Sequence, residues 1–117
     1  MLNKTVFALS TAQGKAGIAI IRVSGSRACE IVKELTGTVL VPRLARLCYL
    51  KFKQELIDQA LVIYFKAGAS YTGEDMVEFH IHGSPAVISS LSDVLSNGFN
   101  LSFANPGEFT RRALENS

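Results

Sequence analysis

The feature that most constrains the fold is the strict alternation of residues 76–82 between apolar and titratable side chains. One face of this stretch carries Val77, Phe79 and Ile81. The other face carries a methionine, a carboxylate and two imidazoles, namely Met76, Glu78, His80 and His82. Alternation with a period of two is typical of a β-strand. The pattern therefore predicts a strand with one face in the core and the other facing a pocket or water.

Turn and helix signals on both sides define the ends of this strand. Residues 71–75 read Tyr-Thr-Gly-Glu-Asp, a turn in which Gly73 allows positive φ. After the strand, Ser84 suits the N-cap of a helix and Pro85 suits its first turn.

The remaining pattern predicts further strands at residues 5–10, 18–24, 44–53, 57–66 and 100–104. Helices are predicted at residues 27–35, at 86–95 and from 106 onwards. The largely apolar strand 57–66 is predicted to be central. Strand runs broken by single helices predict an α+β fold, with a mixed β-sheet and helices mainly on one face.

Local signals predict how these elements begin and end. Ser26 is expected to cap the first helix and Gly37 to close it. A hairpin turn is expected at residues 54–55, and residues 97–98 are expected to break the second helix. For the last helix, the pattern predicts Pro106 at N1, Asn105 as N-cap and Glu108 as capping-box partner.

Composition limits the classes of protein to which the chain can belong. Its 117 residues, 48% of them hydrophobic, predict one folded domain. A net charge of +2 does not argue for nucleic-acid binding by itself, and no apolar run approaches membrane-spanning length. Cys29 and Cys48 lack metal or redox spacing, so we expect free thiols in a reducing cytoplasm. The last predicted helix stops without a C-cap, which suggests a piece of a longer protein.

Arg22 is the first candidate binding residue, because it interrupts an otherwise apolar strand. An unpaired buried guanidinium costs on the order of 3–5 kcal/mol, so Arg22 requires a partner. Two interpretations remain open. Arg22 forms a structural salt bridge, for which Glu78 is a candidate, or it binds a ligand anion through the bidentate geometry of its guanidinium.

The titratable face of residues 76–82 allows three interpretations. It is an ordinary solvated face, or its His80-x-His82 pair binds a metal, although no third and fourth ligand is evident. Alternatively, the Glu78 carboxylate accepts two parallel hydrogen bonds from a ring N–H and an amino group, as guanine-like and pterin rings present.

Two further clusters are weaker candidates. Residues 14–17 include a Gly-Lys pair but lack the glycine spacing of a phosphate loop, and no helix is predicted to follow, so we expect a tight turn. Arg111 and Arg112 in the last helix suit acidic partners or phosphate.

Three motifs in this order carry a resemblance to a known family: residues 17–25 (GIAIIRVSG), residues 71–75 with 78–83 (YTGED, EFHIHG) and residues 106–113 (PGEFTRRA). Together they resemble the N-terminal domain of the bacterial tRNA-modifying GTPases called MnmE or TrmE. The resemblance runs from about residue 5 to the last residue. It implies that residues 1–117 are a folate-binding and dimerisation domain, similar to the folate-binding domain of aminomethyltransferases.

The resemblance also implies a ligand, partners and a location. The ligand is 5-formyltetrahydrofolate, contacted by Arg22 and Glu78, and a further family lysine would fall just beyond Ser117. Two chains form a homodimer, which acts in the cytoplasm with the flavoprotein MnmG on the wobble uridine of tRNA. GTP hydrolysis, with Mg and K, and the catalytic cysteine belong to segments outside these residues. The resemblance implies no catalytic residue, no metal site and no membrane partner within the 117 residues.

Two other functions remain open on the sequence. The first is a stand-alone folate-dependent one-carbon transferase of the aminomethyltransferase type, which requires a catalytic acid that the sequence does not convincingly provide. The second is a ligand-free module that dimerises through an exposed sheet edge.

Overall fold

A six-stranded sheet organises the part of the chain that the computed structural model describes, residues 4–11 and 17–117. The strands are β1 (Val6–Thr11), β2 (Ile18–Ser24), β3 (Arg46–Phe52), β4 (Glu55–Phe65), β5 (Met76–His82) and β6 (Ser102–Phe103). The helices are α1 (Ala28–Thr36), α2 (Pro85–Asp93) and α3 (Glu108–Glu115), and a π-helical turn, Val94–Gly98, extends α2.

The sheet is mixed, with the order β3-β4-β5-β2-β1-β6. β1 and β6 are parallel, and the other neighbouring pairs are antiparallel. The predicted α+β fold with a mixed sheet is therefore confirmed. β4 is an interior strand between β3 and β5, as predicted for residues 57–66, and β5 and β2 occupy the middle of the sheet.

The apolar face of β5 forms the centre of the core, as its alternation predicts. Val77, Phe79 and Ile81 are at most 2% exposed. α1 packs over β3 and β5, and α2 packs over β4 and β5, on this same face. Burial of these large apolar side chains is the main stabilising contribution to such a fold. The opposite face of the sheet is not covered by α1 or α2.

The helix ends show which local signals act alone and which depend on distant contacts. Ser84 caps α2 by accepting a hydrogen bond from the Val87 N–H at 3.2 Å, and Gly37 closes α1 with a φ of 73°, both as predicted. Ser26 does not cap α1. Instead, the Thr5 hydroxyl accepts from the Arg27 N–H at 3.1 Å, because the chain beside β1 passes close to Gly25.

Four predicted boundaries differ from those of the structure. The β3–β4 hairpin turns at residues 53–54, both with positive φ, rather than at 54–55. The π-helical turn extends the second helix as far as Gly98, so the helix does not stop before residues 97–98. β6 is only two residues long. Gly107, with a φ of 74°, is the N-cap of α3, so Pro106 lies in the preceding turn and not at N1. Asn105 is therefore not the N-cap as predicted, and Glu108 is the first residue of the helix, although it does accept the predicted hydrogen bond from the Asn105 N–H at 2.8 Å.

α3 covers one end of the sheet face opposite α1 and α2. Val6, Ser24 and Met76 are buried there. Arg112 is 2% exposed, and its guanidinium binds the Glu74 carboxylate at 2.8 Å and the Glu108 carboxylate. It also donates to the Ser24 carbonyl at 3.4 Å. The buried arginine therefore joins α3, β2 and the loop that precedes β5.

The two cysteines differ in their burial. Cys29 is exposed and Cys48 is buried, and both are free thiols, as predicted. Burial raises the pKa of Cys48. Among the described residues, no helix combines the length and apolar character needed to cross a lipid bilayer.

The ion pair of Glu108 makes stability depend on pH. Burial alone would raise the pKa of Glu108, but the Asn105 N–H and the Arg112 guanidinium outweigh burial and hold its pKa below the ordinary value. A carboxyl group whose pKa is lower in the folded state stabilises the fold above its unfolded pKa. That stabilisation is lost as the pH falls through the folded pKa.

We therefore expect Glu108→Gln to lower the free energy of unfolding at neutral pH. The difference from the unsubstituted chain should shrink as the pH falls below about 4.3, the ordinary pKa of glutamate, and through the lower pKa of Glu108 in the folded chain, because Glu108 then loses its charge. Denaturant unfolding at several pH values measures this difference. A difference that stays constant over the range would contradict the assignment of the lowered pKa to Glu108.

Candidate functional site

The candidate site lies on the sheet face opposite α1 and α2, where Arg22 of β2 and Glu78 of β5 are direct cross-strand partners. The Arg22 Nε atom lies 2.8 Å from the Glu78 Oε2 atom. The Arg22 side chain is 36% exposed and that of Glu78 is 15% exposed. The predicted salt bridge is thus present, and the arginine is only partly buried because this part of the face has no covering helix.

The salt bridge leaves the outer edge of the Arg22 guanidinium available. A guanidinium offers two hydrogen bonds along its Nε side and two along the edge between Nη1 and Nη2. Glu78 occupies Nε, and within the described residues neither Nη1 nor Nη2 has a hydrogen-bond partner. The two interpretations of Arg22 are therefore compatible, since one edge serves the salt bridge and the other remains for an anion.

Glu78 is held from its second side by His80. The His80 Nε2 atom lies 3.0 Å from the Glu78 Oε1 atom, and the imidazole is 26% exposed. Burial would raise the pKa of Glu78, but hydrogen bonds from His80 and Arg22 outweigh it and lower the pKa. Glu78 is therefore a carboxylate at neutral pH, with one partner on each oxygen.

His82 has a different environment from His80, although both follow the same alternation. Its Nδ1 atom lies 2.8 Å from the Asp58 Oδ1 atom of β4, and its backbone N–H donates to Asp58 Oδ2 at 2.8 Å. The His82 side chain is 71% exposed. Asp58 thus ties the end of β5 to β4, and no sequence pattern indicated this contact, because the pairing depends on strand register.

An apolar surface adjoins the charged pair on the same face. A shallow cavity of about 190 Å³ is lined by side chains that include Ile18, Leu47, Leu61 and His80. Ile18, Leu47 and Leu61 are 52%, 59% and 45% exposed. Large exposed apolar side chains beside a charged pair suit a flat ring with one polar edge. A larger cavity of about 470 Å³ lies between the end of α1 and β3, away from Arg22 and Glu78.

The other candidate clusters have no comparable arrangement. In the described part of the chain, no group of three His, Cys, Asp or Glu side chains is placed to hold a metal ion. Residues 14–16 of the predicted turn lie outside the described residues, but Gly17 leads directly into β2, so a strand follows it and not a helix. Arg112 meets acidic partners within the chain, Glu74 and Glu108, and the more exposed Arg111 lies 3.5 Å from Glu115.

Comparison with known proteins shows which family the chain is similar to. The family described as "GTP-binding protein TrmE N-terminus" matches residues 5–117. The tRNA modification GTPase MnmE of Cereibacter sphaeroides is 52% identical over 113 residues, which cover 96% of this chain and 26% of that protein. MnmE of Caulobacter vibrioides is 49% identical over 115 residues, covering 98% of this chain and 26% of the relative.

The similarity extends to a eukaryotic protein. The mitochondrial tRNA modification GTPase mss1 of Schizosaccharomyces pombe is 45% identical over 116 residues, covering 96% of this chain and 23% of that protein. The chain therefore spans about a quarter of the length of the curated relatives that it matches.

Proposed function

Because the chain belongs to the family of the N-terminal domain of the GTP-binding protein TrmE, we propose that it binds 5-formyltetrahydrofolate on the sheet face that carries Arg22 and Glu78. The observation that carries the proposal is the cross-strand pair itself, in which Nε of Arg22 bonds Glu78 and the Arg22 side chain stays 36% exposed. A pterin ring presents an N–H and an amino group to a carboxylate, and the ligand also carries carbonyl and carboxylate acceptors for a guanidinium.

The surroundings of the pair support a ligand of this shape. Glu78 is ionised and fixed, so it is ready to accept hydrogen bonds from ring donors. The neighbouring exposed side chains of Ile18 and Leu61 offer an apolar surface on which a flat ring can lie.

We further propose that the chain is the N-terminal part of a tRNA modification GTPase, as the names of its relatives suggest. In this proposal two copies form a homodimer, and the whole protein acts with the flavoprotein MnmG on the wobble uridine of tRNA. GTP, Mg and K are bound by segments outside these 117 residues. The fragment alone is expected to release no phosphate from GTP.

Titration calorimetry of 5-formyltetrahydrofolate into the chain, with the mass in solution measured in parallel, tests the proposal. We expect micromolar binding by a dimer. No binding by a folded dimer would overturn folate binding by these residues alone and leave dimerisation standing. No binding by a folded monomer would contradict both parts of the proposal.

An exposed edge favours one competing function, a ligand-free dimerisation module. β3 is an edge strand, and its Leu47 and Tyr49 are 59% and 58% exposed. If the chain dimerises and the titration shows no heat of binding, this second function is favoured.

A further inference from the structure

We infer that His80 is a positioning residue of the ligand site, which acts by holding the Glu78 carboxylate in place. The inference rests on the proposed function, because it concerns the same carboxylate that would bind the heterocycle. It adds a residue that neither the salt bridge nor the family resemblance assigns to the site.

The first step is that Glu78 is fixed from two sides. Arg22 holds Oε2 at 2.8 Å and His80 holds Oε1 at 3.0 Å. A free glutamate side chain samples many rotamers, and ordering it on binding would weaken the affinity. With one donor on each oxygen, the plane of the carboxylate is set before a ligand arrives, and each oxygen retains a lone pair for a ligand donor.

The second step concerns the residues that flank His80 across the sheet. Its cross-strand partners are Ile20 of β2 and Leu61 of β4, both apolar. The Nε2–H group of the imidazole therefore goes to Glu78, and this bond defines the tautomer. Both the neutral Nε2–H form and the imidazolium keep this donor, so the support of Glu78 does not require a particular charge on His80.

Two substitutions separate positioning from direct contact. The amide of glutamine reaches about as far as Nε2 of histidine, whereas the shorter amide of asparagine reaches about as far as Nδ1. We expect His80→Asn to weaken 5-formyltetrahydrofolate binding by about tenfold, the loss of one hydrogen bond to a charged group. His80→Gln should bind within about threefold of the unsubstituted chain, since it keeps the donor to Glu78.

A double-mutant cycle with Glu78→Gln then shows whether the two residues act together. If His80 acts through Glu78, adding His80→Asn to Glu78→Gln should cause little further loss, so the two effects are not additive. Equal losses for His80→Asn and His80→Gln, or additive losses in the cycle, would overturn positioning and indicate direct contact. An unchanged affinity for His80→Asn, while the unsubstituted chain binds normally, would overturn the inference and leave the proposed function intact.

A ligand-free measurement tests the geometry independently. Nitrogen-15 NMR of the imidazoles should show His80 as the Nε2–H tautomer, and this preference should weaken in Glu78→Gln. A dominant Nδ1–H tautomer would overturn the inference. If the unsubstituted chain fails to bind folate although the tautomer is as expected, the proposed function fails, and with it the ligand role of His80, while the His80–Glu78 contact remains.

Discussion

Replacing Arg112 with methionine is expected to lower the free energy of unfolding by about 3–5 kcal/mol, which is the usual cost of breaking a buried ion pair by removing one partner. Arg112 is 2% exposed, and its loss leaves the carboxylate of Glu108, 7% exposed, without its main counter-charge. It also removes the link from α3 to Glu74 and β2. Denaturant unfolding at neutral pH measures the effect.

The adjacent residue provides a matched control. Arg111 is 56% exposed, and its ion pairs with Glu115 at 3.5 Å and with Glu108 at 3.8 Å are long, so Arg111→Met should change the free energy of unfolding by no more than about 0.5 kcal/mol. Similar effects for the two substitutions would show that burial of Arg112 does not determine stability.

Substitution of Arg22 by lysine is expected to weaken 5-formyltetrahydrofolate binding by about thirtyfold or more, while the fold is retained. An ammonium group cannot hold Glu78 and also present the planar Nη edge that a ligand carboxylate or carbonyl requires, and hydrogen bonds to charged groups contribute about 1.5–3 kcal/mol. Stability should fall by less than about 1 kcal/mol, since the Arg22–Glu78 pair is partly exposed to solvent. Calorimetric titration and thermal unfolding of the same sample separate the two quantities.

Arg46→Lys is the control for this substitution, because Arg46 is an exposed arginine of the edge strand β3. It should bind the ligand as the unsubstituted chain does. If Arg22→Lys also retained full affinity, the guanidinium would have no specific role, and folate binding would have to involve other residues.

The fold was predictable where a local pattern decides the outcome. The bounds of β2 and β5 were predicted to the residue, because alternation and the flanking turns determine them. The Ser84 cap needs only its own helix. Ser26 failed as a cap because Thr5, which precedes it by a full strand pair, supplies the hydroxyl instead. Capping by a distant residue depends on the close approach of two chain segments, which a short stretch of sequence does not reveal.

The site was predictable only in part, for the same reason. The position of Arg22 within an apolar strand predicted that its guanidinium needed a partner, and the salt bridge to Glu78 was among the interpretations. The contacts of His82 with Asp58 and of Arg112 with Glu74 arise from strand register and helix placement. Sequence spacing does not encode either contact, so Asp58 and Glu74 were not predicted as the partners of His82 and Arg112.

The strand order has a consequence for the rate at which the protein folds. β1 pairs with the last strand, β6, and the β2–β5 ladder joins Arg22 to a residue 56 positions away. A pairing between strands far apart in sequence closes a long loop, and the chain loses entropy before the new contacts compensate that loss. Because such pairings raise the contact order, we expect folding in the slower range of about milliseconds to seconds. No early, locally folded intermediate can contain both Arg22 and Glu78 in contact. A ligand that binds both Arg22 and Glu78 therefore binds only the fully folded chain. Raising the ligand concentration will raise the midpoint of thermal unfolding.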